Sequence, residues 1–241
     1  MSDGIENVKY ALLRQEVDQL EWCIPMLPFP NRCIGVPCLP CDLANNFFLF
    51  ESNETFSEPG VKILDISEKS TVKDRACIPS LRRFKLTSRN FYNQEIITAE
   101  RPFKIPFFKF NRPEITINYQ GVYAGKIVDP CTFQLCKGQL IELDVYDKSN
   151  QIIYKIDGSL DQGGLCCLLP CKGFNEFKFK IKDITGEEVG FIKHLHYGLY
   201  NEFCSRADQY GIKFPDEAEE VEKYLLTIVG VFIDYLLFEN T

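Results

Sequence analysis

Short runs of alternating apolar and polar residues recur along most of the chain and predict a β-rich fold. Residues 177–181 read Phe-Lys-Phe-Lys-Ile, which places apolar side chains on one face of a strand and lysines on the other. Turn signals such as 147–150, Asp157-Gly158 and Thr185-Gly186 separate such runs and predict hairpins. The predicted strands are 47–50, 61–66, 84–86, 95–99, 114–119, 122–127, 140–145, 152–156, 174–181 and 188–192. Strands at this spacing predict a sandwich or a barrel.

Both ends of the chain have a different pattern. Residues 8–22 carry apolar residues three and four positions apart, which predicts a short amphipathic helix. Residues 23–41 contain five prolines and predict an irregular arm. A helix is also predicted over 197–210, ended at Gly211, and another over 216–238, whose acidic start suits the positive end of a helix dipole. We therefore predict two regions: an N-terminal helix with a Cys/Pro-rich arm, 1–44, and a β domain, 45–241.

The apolar run at 224–238 reads YLLTIVGVFIDYLLF. As a helix its 15 residues extend about 22 Å, which is short of the ~30 Å hydrocarbon core of a bilayer. Asp234 lies within the run, and a carboxylate at the centre of a membrane helix costs about 2.5–3.5 kcal/mol. We therefore expect this helix, with Gly230 and Asp234, to be buried inside a wide antiparallel barrel. A membrane anchor is the alternative.

Composition narrows the function. The 241 residues carry a net charge of −7, which disfavours nucleic-acid binding because phosphate contacts need a positive surface. Residues 1–6 lack the features of a secretory signal, so we expect a cytosolic chain whose 11 cysteines are mostly reduced thiols. A hydrolase elbow, a phosphate-binding glycine loop and an HExxH motif are all missing from the sequence, so we do not expect an enzyme.

Two segments resemble the phospholipid scramblase family. Residues 94–102 read Gln-Glu-Ile-Ile-Thr-Ala-Glu-Arg-Pro, like the family's Gln-Glu-aliphatic-Ile-Thr-x-Glu-Arg-Pro. Residues 207–215, the acidic stretch after them and 229–239 resemble the family's C-terminal end. The resemblance implies a tubby-like fold, a 12-stranded antiparallel barrel around its C-terminal hydrophobic helix. It also implies calcium-stimulated, ATP-independent movement of phospholipids between leaflets, at the cytoplasmic face of the plasma membrane or another membrane.

The resemblance further implies a calcium-binding loop over 206–217. Gly211 would form its sharp turn, but Arg206 occupies the first ligand position, where calcium sites prefer a carboxylate. We therefore expect calcium affinity to be weak or absent, and a solvated helix-capping loop is the alternative. The implied ligands are Asp208, Tyr210, Ile212, Phe214 and Glu217.

A basic cluster and a Phe-rich segment are the predicted membrane contacts. The basic cluster, within 73–89, would meet anionic headgroups at ~1 kcal/mol per cation. Residues 103–113 interleave Phe with Lys and Arg where the family has palmitoylated cysteines, and we expect direct insertion into the membrane interface. A salt-bridged surface and an aromatic core strand are the respective alternatives. The contact residues are Arg82, Arg83, Lys85, Phe107, Phe108, Lys109 and Phe110.

Acylation, if it occurs, would use the Cys/Pro arm or the later Cys pair; the candidates are Cys38, Cys41, Cys166 and Cys167. Ordinary thiols are an alternative, and zinc is a weak one because a second matched Cys pair is missing. The expected partners are membrane phospholipids, preferably anionic ones; no protein partner is indicated. A lipid-docking signalling module without scrambling activity is the alternative function.

Overall fold

A computed structural model of the protein describes residues 4–16, 44–70, 83–104, 112–130, 139–159, 177–195 and 208–237. In these residues, 12 antiparallel strands form a closed barrel around one C-terminal helix, as predicted. The strands are β1 Tyr10–Glu16, β2 Asn46–Glu51, β3 Lys62–Lys69, β4 Phe84–Arg89, β5 Glu95–Arg101, β6 Glu114–Tyr119, β7 Val122–Val128, β8 Gln139–Asp147, β9 Ile152–Ser159, β10 Phe177–Lys182, β11 Glu188–His194 and β12 Gln209–Lys213; the helix is α1 Glu220–Leu237.

Each strand pairs with its neighbours in sequence, and β1 pairs with β12 to close the sheet. Closure leaves no strand edge exposed along the barrel. Because the strands alternate in direction, odd-numbered strands finish at the same end of the barrel. The last turns of α1 lie at that end, where Tyr235 stacks on Phe84, the first residue of β4, with ring centroids 4.4 Å apart. We call this end the upper rim and the opposite end the lower rim.

The barrel lumen is filled by α1. Its residues 223–235 are all buried, so the helix contacts protein on every side along most of its length. A Cβ added at Gly230 would come within 3.1 Å of a methyl group of Leu13, which shows how closely α1 approaches β1. The prediction of a buried helix is therefore confirmed. No helix in the described part of the chain is both long and apolar enough to cross a membrane.

The polar groups buried with α1 have partners. The Tyr210 hydroxyl of β12 donates a hydrogen bond to the Asp234 carboxyl at 2.8 Å, and both residues are buried. The Tyr235 hydroxyl donates to Glu68 at 2.8 Å, and the same Glu68 oxygen accepts from the backbone N–H of Asn45 at 3.1 Å. Buried polar atoms need such bonds because leaving them unsatisfied costs about 1–3 kcal/mol each. These contacts fix the position of α1 in the lumen.

The helix predicted over 8–22 is wrong wherever this segment is described. Residues 10–16 form β1, which pairs with β12 on one side and β2 on the other. The barrel cannot close without this strand, so tertiary pairing overrides a local spacing that also suits a helix. The barrel therefore includes residues from the predicted N-terminal region, 1–44.

Two other boundaries also differ from the prediction. The C-terminal helix begins at Glu220 rather than at residue 216, and Asp216 lies before it in an ion pair with Lys9. Gly211 does not end a helix, because it lies within β12. The rest of the helix predicted over 197–210 falls outside the described residues, apart from residues 208–210.

Candidate functional site

A row of polar side chains crosses four neighbouring strands on the outer face at the upper rim. In the sheet register, Lys69 lies opposite Lys85, Lys85 lies opposite Glu100, and Glu100 lies opposite Thr116. With strands about 4.8 Å apart, this row extends roughly 14 Å. Like charges directly opposite each other destabilise a sheet. In this row the lysine pair has a carboxylate beside it, since Glu100 lies opposite Lys85 on the next strand.

This row borders a cleft of about 730 Å³ at the upper rim. Its described lining contains four cations and one carboxylate, a formal charge of +3, although the whole chain carries −7. The described lining residues are Lys69, Ser70, Arg83, Phe84, Lys85, Glu100, Arg101, Pro102 and Thr116. The cleft is therefore a local positive site on an acidic protein.

Arg101 forms the floor of the cleft. The alternation along β5 turns its side chain inward, and only 3% of the residue is exposed. Its guanidinium carbon lies 5.6 Å from the ring centroid of Phe84 and 5.4 Å from that of Phe232 on α1. Cation–π contacts of this kind offset part of the cost of removing a cation from water. The buried helix thus helps to hold a guanidinium at the base of the cleft.

Lys85 and Glu100 form an ion pair on the cleft wall. The Lys85 Nζ lies 2.7 Å from a Glu100 carboxylate oxygen, and about half of each side chain is exposed. The hydrogen bond and the charge of Glu100 raise the pKa of Lys85. Because exposed ion pairs add little stability, an incoming anion can compete with Glu100 for this lysine.

Two of the predicted membrane contacts, Arg83 and Lys85, line the cleft. Of the Phe-rich segment 103–113, residues 103, 104, 112 and 113 are described. Phe103 follows Pro102 of the cleft and is 46% exposed, whereas Lys104 pairs with Glu114 and Arg112 pairs with Asp129. The other predicted contacts and acylation sites lie outside the described residues: Arg82, Phe107, Phe108, Lys109, Phe110, Cys38, Cys41, Cys166 and Cys167. The strands that flank these segments end or begin at the upper rim.

Lys69 and Arg101 were not predicted from the sequence to belong to this site. Arg101 had a detectable signal in the sequence. It follows Ile97 and Ala99 at a spacing of two residues, which places it on the inward face of the same strand. A cation at such a core position is unusual and indicates a functional residue. Lys69 had no such signal, because its position opposite Lys85 depends on the register between two strands that are separated by 14 residues of chain.

The structure does not bring the five implied calcium ligands together. Tyr210 and Ile212 belong to β12 and, with Phe214, are buried in the core. At about 3.3 Å per residue, the strand holds Asp208 and Phe214 roughly 20 Å apart, and Glu217 follows later still. Residues 209–213, in the middle of the expected loop, form a strand. Within the described ranges, no three His, Cys, Asp or Glu residues are close enough to hold a metal ion.

Asp208 and Gly211 instead contribute to packing between strands. The Asp208 carboxylate lies 2.8 Å from Nε2 of the buried His194, and this contact links β11 with the residue before β12. A Cβ at Gly211 would lie 2.7 Å from ring atoms of Phe56. Glycine at this position therefore permits close packing of an aromatic ring against β12, rather than a sharp turn.

Sequence comparison finds relatives of this chain among known proteins. A sequence model named Scramblase matches residues 42–240. The chain is 26% identical over 199 residues to Phospholipid scramblase 1 of Homo sapiens, covering 80% of this chain and 58% of that protein. It is 24% identical over 250 residues to Phospholipid scramblase 2 of Homo sapiens, covering 90% of this chain and 80% of that protein.

The chain spans between 56% and 58% of the length of the human, rat and mouse scramblase 1 proteins. No solved structure matches it significantly. Because the family model covers most of the chain, this protein belongs to the scramblase family.

Proposed function

We propose that the protein binds membrane phospholipids at the upper rim and mediates or regulates their bidirectional, ATP-independent movement between leaflets. The observation that carries the proposal is the cationic cleft, whose described lining includes the opposed Lys69 and Lys85 and the buried Arg101. Family membership supplies the substrate class, since the relatives are named phospholipid scramblases. The protein acts by binding lipid rather than by making or breaking covalent bonds.

The charges of the cleft suit an anionic membrane surface. Each cation near such a surface contributes about 1 kcal/mol of attraction, so the formal charge of +3 on the described lining would contribute about 3 kcal/mol. A guanidinium also binds phosphate oxygens with two parallel hydrogen bonds, which suits Arg101 to a headgroup that enters the cleft. We place this rim against the cytoplasmic face of the plasma membrane or another membrane, with the Phe-rich segment 103–113 inserting beside it.

Two finer parts of the proposal rest on resemblance and on sequence. Calcium stimulation is proposed from the family resemblance alone, because β12 separates the implied ligands Asp208 and Glu217. Acylation of the Cys/Pro arm or of Cys166 and Cys167 would add an anchor at the same rim, since β9 ends and β10 begins there. Mass spectrometry of membrane-bound protein, before and after hydroxylamine treatment, tests for the thioester.

A lipid-docking module without scrambling activity is the second candidate function. It is favoured by the burial of α1, because a helix buried over residues 223–235 has no face along that length to offer to a lipid chain. Both candidates use the cleft to contact headgroups, and they differ in whether lipid crosses the bilayer.

Fluorescent-lipid movement in reconstituted vesicles separates the two candidates. We expect movement above that of protein-free vesicles, without ATP, and we expect Lys69→Gln to slow it while Lys148→Gln at the lower rim does not. Parallel samples with calcium and with chelator test calcium stimulation. Vesicle binding without lipid movement would favour the docking module, and absence of binding would refute both candidates.

A further inference from the structure

We propose that the lower rim is a docking site for a basic, amphipathic helix of a partner protein. This goes beyond the proposed function, which assigns lipid contact to the upper rim at the other end of the barrel. Because the two sites lie at opposite ends, a membrane and a partner helix can be bound at the same time.

Exposed apolar side chains are concentrated at the lower rim. Among the described residues, six large hydrophobic side chains are exposed, and five of them lie in or beside the connections of this rim. Single exposed apolar residues are normal on a protein surface, but such a concentration at one end marks an interaction surface. The five are between 62% and 76% exposed: Val61, Phe91, Tyr92, Val122 and Ile184.

Four of these residues form a row along three consecutive hairpins. Val61 precedes β3, Phe91 and Tyr92 lie between β4 and β5, and Val122 begins β7. Consecutive hairpins are two strands apart, or about 10 Å, so the row extends roughly 19 Å. The rings of Phe91 and Tyr92 pack edge to face with centroids 5.8 Å apart. The middle of the row is therefore an aromatic pair, the type of anchor that is enriched in binding hot spots.

The closed barrel restricts how a partner can bind to this row. A partner chain cannot add a strand, because a closed sheet leaves no edge for it to pair with. A helix suits the row, since seven helical residues rise about 10.5 Å, close to the separation of consecutive hairpins. A helix of about 13 residues thus spans the three hairpins with apolar side chains at positions i and i+7.

Charge indicates which helices the rim attracts. Three lower-rim segments, 51–62, 182–188 and 213–223, together contain 11 carboxylates and four lysines, a formal charge of −7. This charge attracts cationic partners before contact and repels an anionic membrane surface. The other described segments of this rim each have no net charge: 4–9, 89–95, 119–122 and 147–151.

Carboxylates also lie beside the apolar row itself. Glu58 and Glu95 are exposed on the first and second hairpins. At the third hairpin, Glu220 of α1 accepts a hydrogen bond from the Tyr119 hydroxyl at 3.2 Å. A helix that binds across the row therefore gains most when lysine or arginine flanks its apolar positions. An acidic helix of the same shape would be repelled.

The test uses the full chain and three synthetic peptides of equal length, labelled for fluorescence anisotropy. The first contains leucine at positions i, i+3, i+4, i+7 and i+11, with lysine elsewhere. The second has the same composition in an order that gives no apolar face, and the third replaces lysine with glutamate. We expect the first to bind about tenfold more tightly than the second, and the third not to bind.

Variants of the aromatic pair test the position of the site. Phe91→Ser with Tyr92→Ser should weaken binding of the first peptide about tenfold, because it removes the central anchors. Both side chains are more than 60% exposed, so the barrel core is unaffected, which circular dichroism checks. Phe103→Ser is the matched control, since this exposed ring lies at the upper rim and should not change peptide binding.

Charge variants test the selectivity for basic helices. Glu58→Gln with Glu95→Gln should weaken binding of the first peptide about threefold, as expected for two exposed ion pairs. Glu16→Gln, at an exposed position on the upper rim, should leave it unchanged. Binding to anionic vesicles should be the same in all lower-rim variants as in wild type, so failure of this inference is distinguishable from failure of the proposed function.

Several results would contradict the inference. Equal binding of the ordered and shuffled peptides would mean that charge alone attracts them, and unchanged binding in the aromatic double variant would place the peptide elsewhere. Sedimentation that showed self-association of the wild type, lost in that variant, would make a second copy of the chain the occupant instead of a partner helix. Loss of vesicle binding in the same variant would make the lower rim a membrane contact.

Discussion

Replacing Asp234 with leucine has opposite consequences for a buried helix and for a membrane helix. In the structure, Asp234 is 1% exposed and accepts a hydrogen bond from the Tyr210 hydroxyl at 2.8 Å. Leucine leaves this buried hydroxyl without its acceptor, which costs about 1–3 kcal/mol, and its different shape in a packed core adds about 1–3 kcal/mol. We therefore expect Asp234→Leu to destabilise the protein.

The size of the effect follows from the length of the chain. In a domain of this size, each kcal/mol lowers the melting temperature by roughly 2–4 °C, so a loss of about 2–6 kcal/mol should lower the melting temperature by about 4–24 °C relative to wild type. Thermal unfolding followed by circular dichroism measures this shift. Glu217→Leu is the matched control, because it makes the same type of change at an exposed position before α1 and should shift melting by less than about 2 °C.

If α1 entered a bilayer instead, Asp234→Leu would remove an unfavourable carboxylate worth about 2.5–3.5 kcal/mol of insertion energy. Vesicle binding would then increase and folding stability would change little. An unchanged melting temperature together with stronger vesicle partitioning would refute the buried position of the helix.

Individual contacts in the barrel lead to three more predictions. Gly211→Ala should destabilise the protein by about 1–3 kcal/mol, because the new Cβ would lie 2.7 Å from the Phe56 ring; urea titration measures the change. Burial raises the pKa of the Asp144 carboxyl above its ordinary value of 3.8, so its ionisation costs stability as pH rises through the folded-state pKa. Asp144→Asn should therefore raise the melting temperature at neutral pH, and the gain should disappear below about pH 3.8. Glu217→Gln should leave any calcium response of lipid movement unchanged, because the length of β12 lies between this residue and Asp208, the other implied carboxylate ligand.

Each of these predictions has a result that contradicts it. Wild-type stability in Gly211→Ala would mean that Phe56 does not pack against β12. A gain for Asp144→Asn that persisted in acid would show that carboxylate desolvation is not its cause. Loss of a calcium response in Glu217→Gln would restore this glutamate as a ligand.

The β-rich class and the buried helix were accessible from local pattern, whereas the closed 12-stranded barrel was implied by the resemblance to the scramblase family, since the pattern alone left a sandwich or a barrel open. Alternation with a period of two marks inward and outward faces, as in residues 177–181. The buried helix followed from two quantities, the length of the run at 224–238 and the internal Asp234. A partner for Asp234 was not accessible, because Tyr210 lies on a strand in a segment whose sequence predicts a helix end and a loop.

The candidate site was only partly accessible, since it depends on contacts between distant residues. Arg83 and Lys85 stood out as part of a basic cluster, but the cleft also needs Lys69 and Glu100 at particular register positions on β3 and β5. Register follows from the whole sheet rather than from any one strand. For the same reason, residues 10–16 suit a helix locally and yet form β1, because barrel closure requires a strand between β12 and β2.

The most direct test of the central claim is the binding of wild-type and double-variant protein to anionic vesicles. Lys69→Gln with Lys85→Gln removes the opposed pair, and Lys62→Gln with Lys148→Gln removes two exposed lysines at the lower rim. If the upper-rim cleft is the membrane contact, the first pair should weaken binding about thirtyfold and the second should leave it near wild type. Equal loss in both double variants would contradict a membrane site in the cleft.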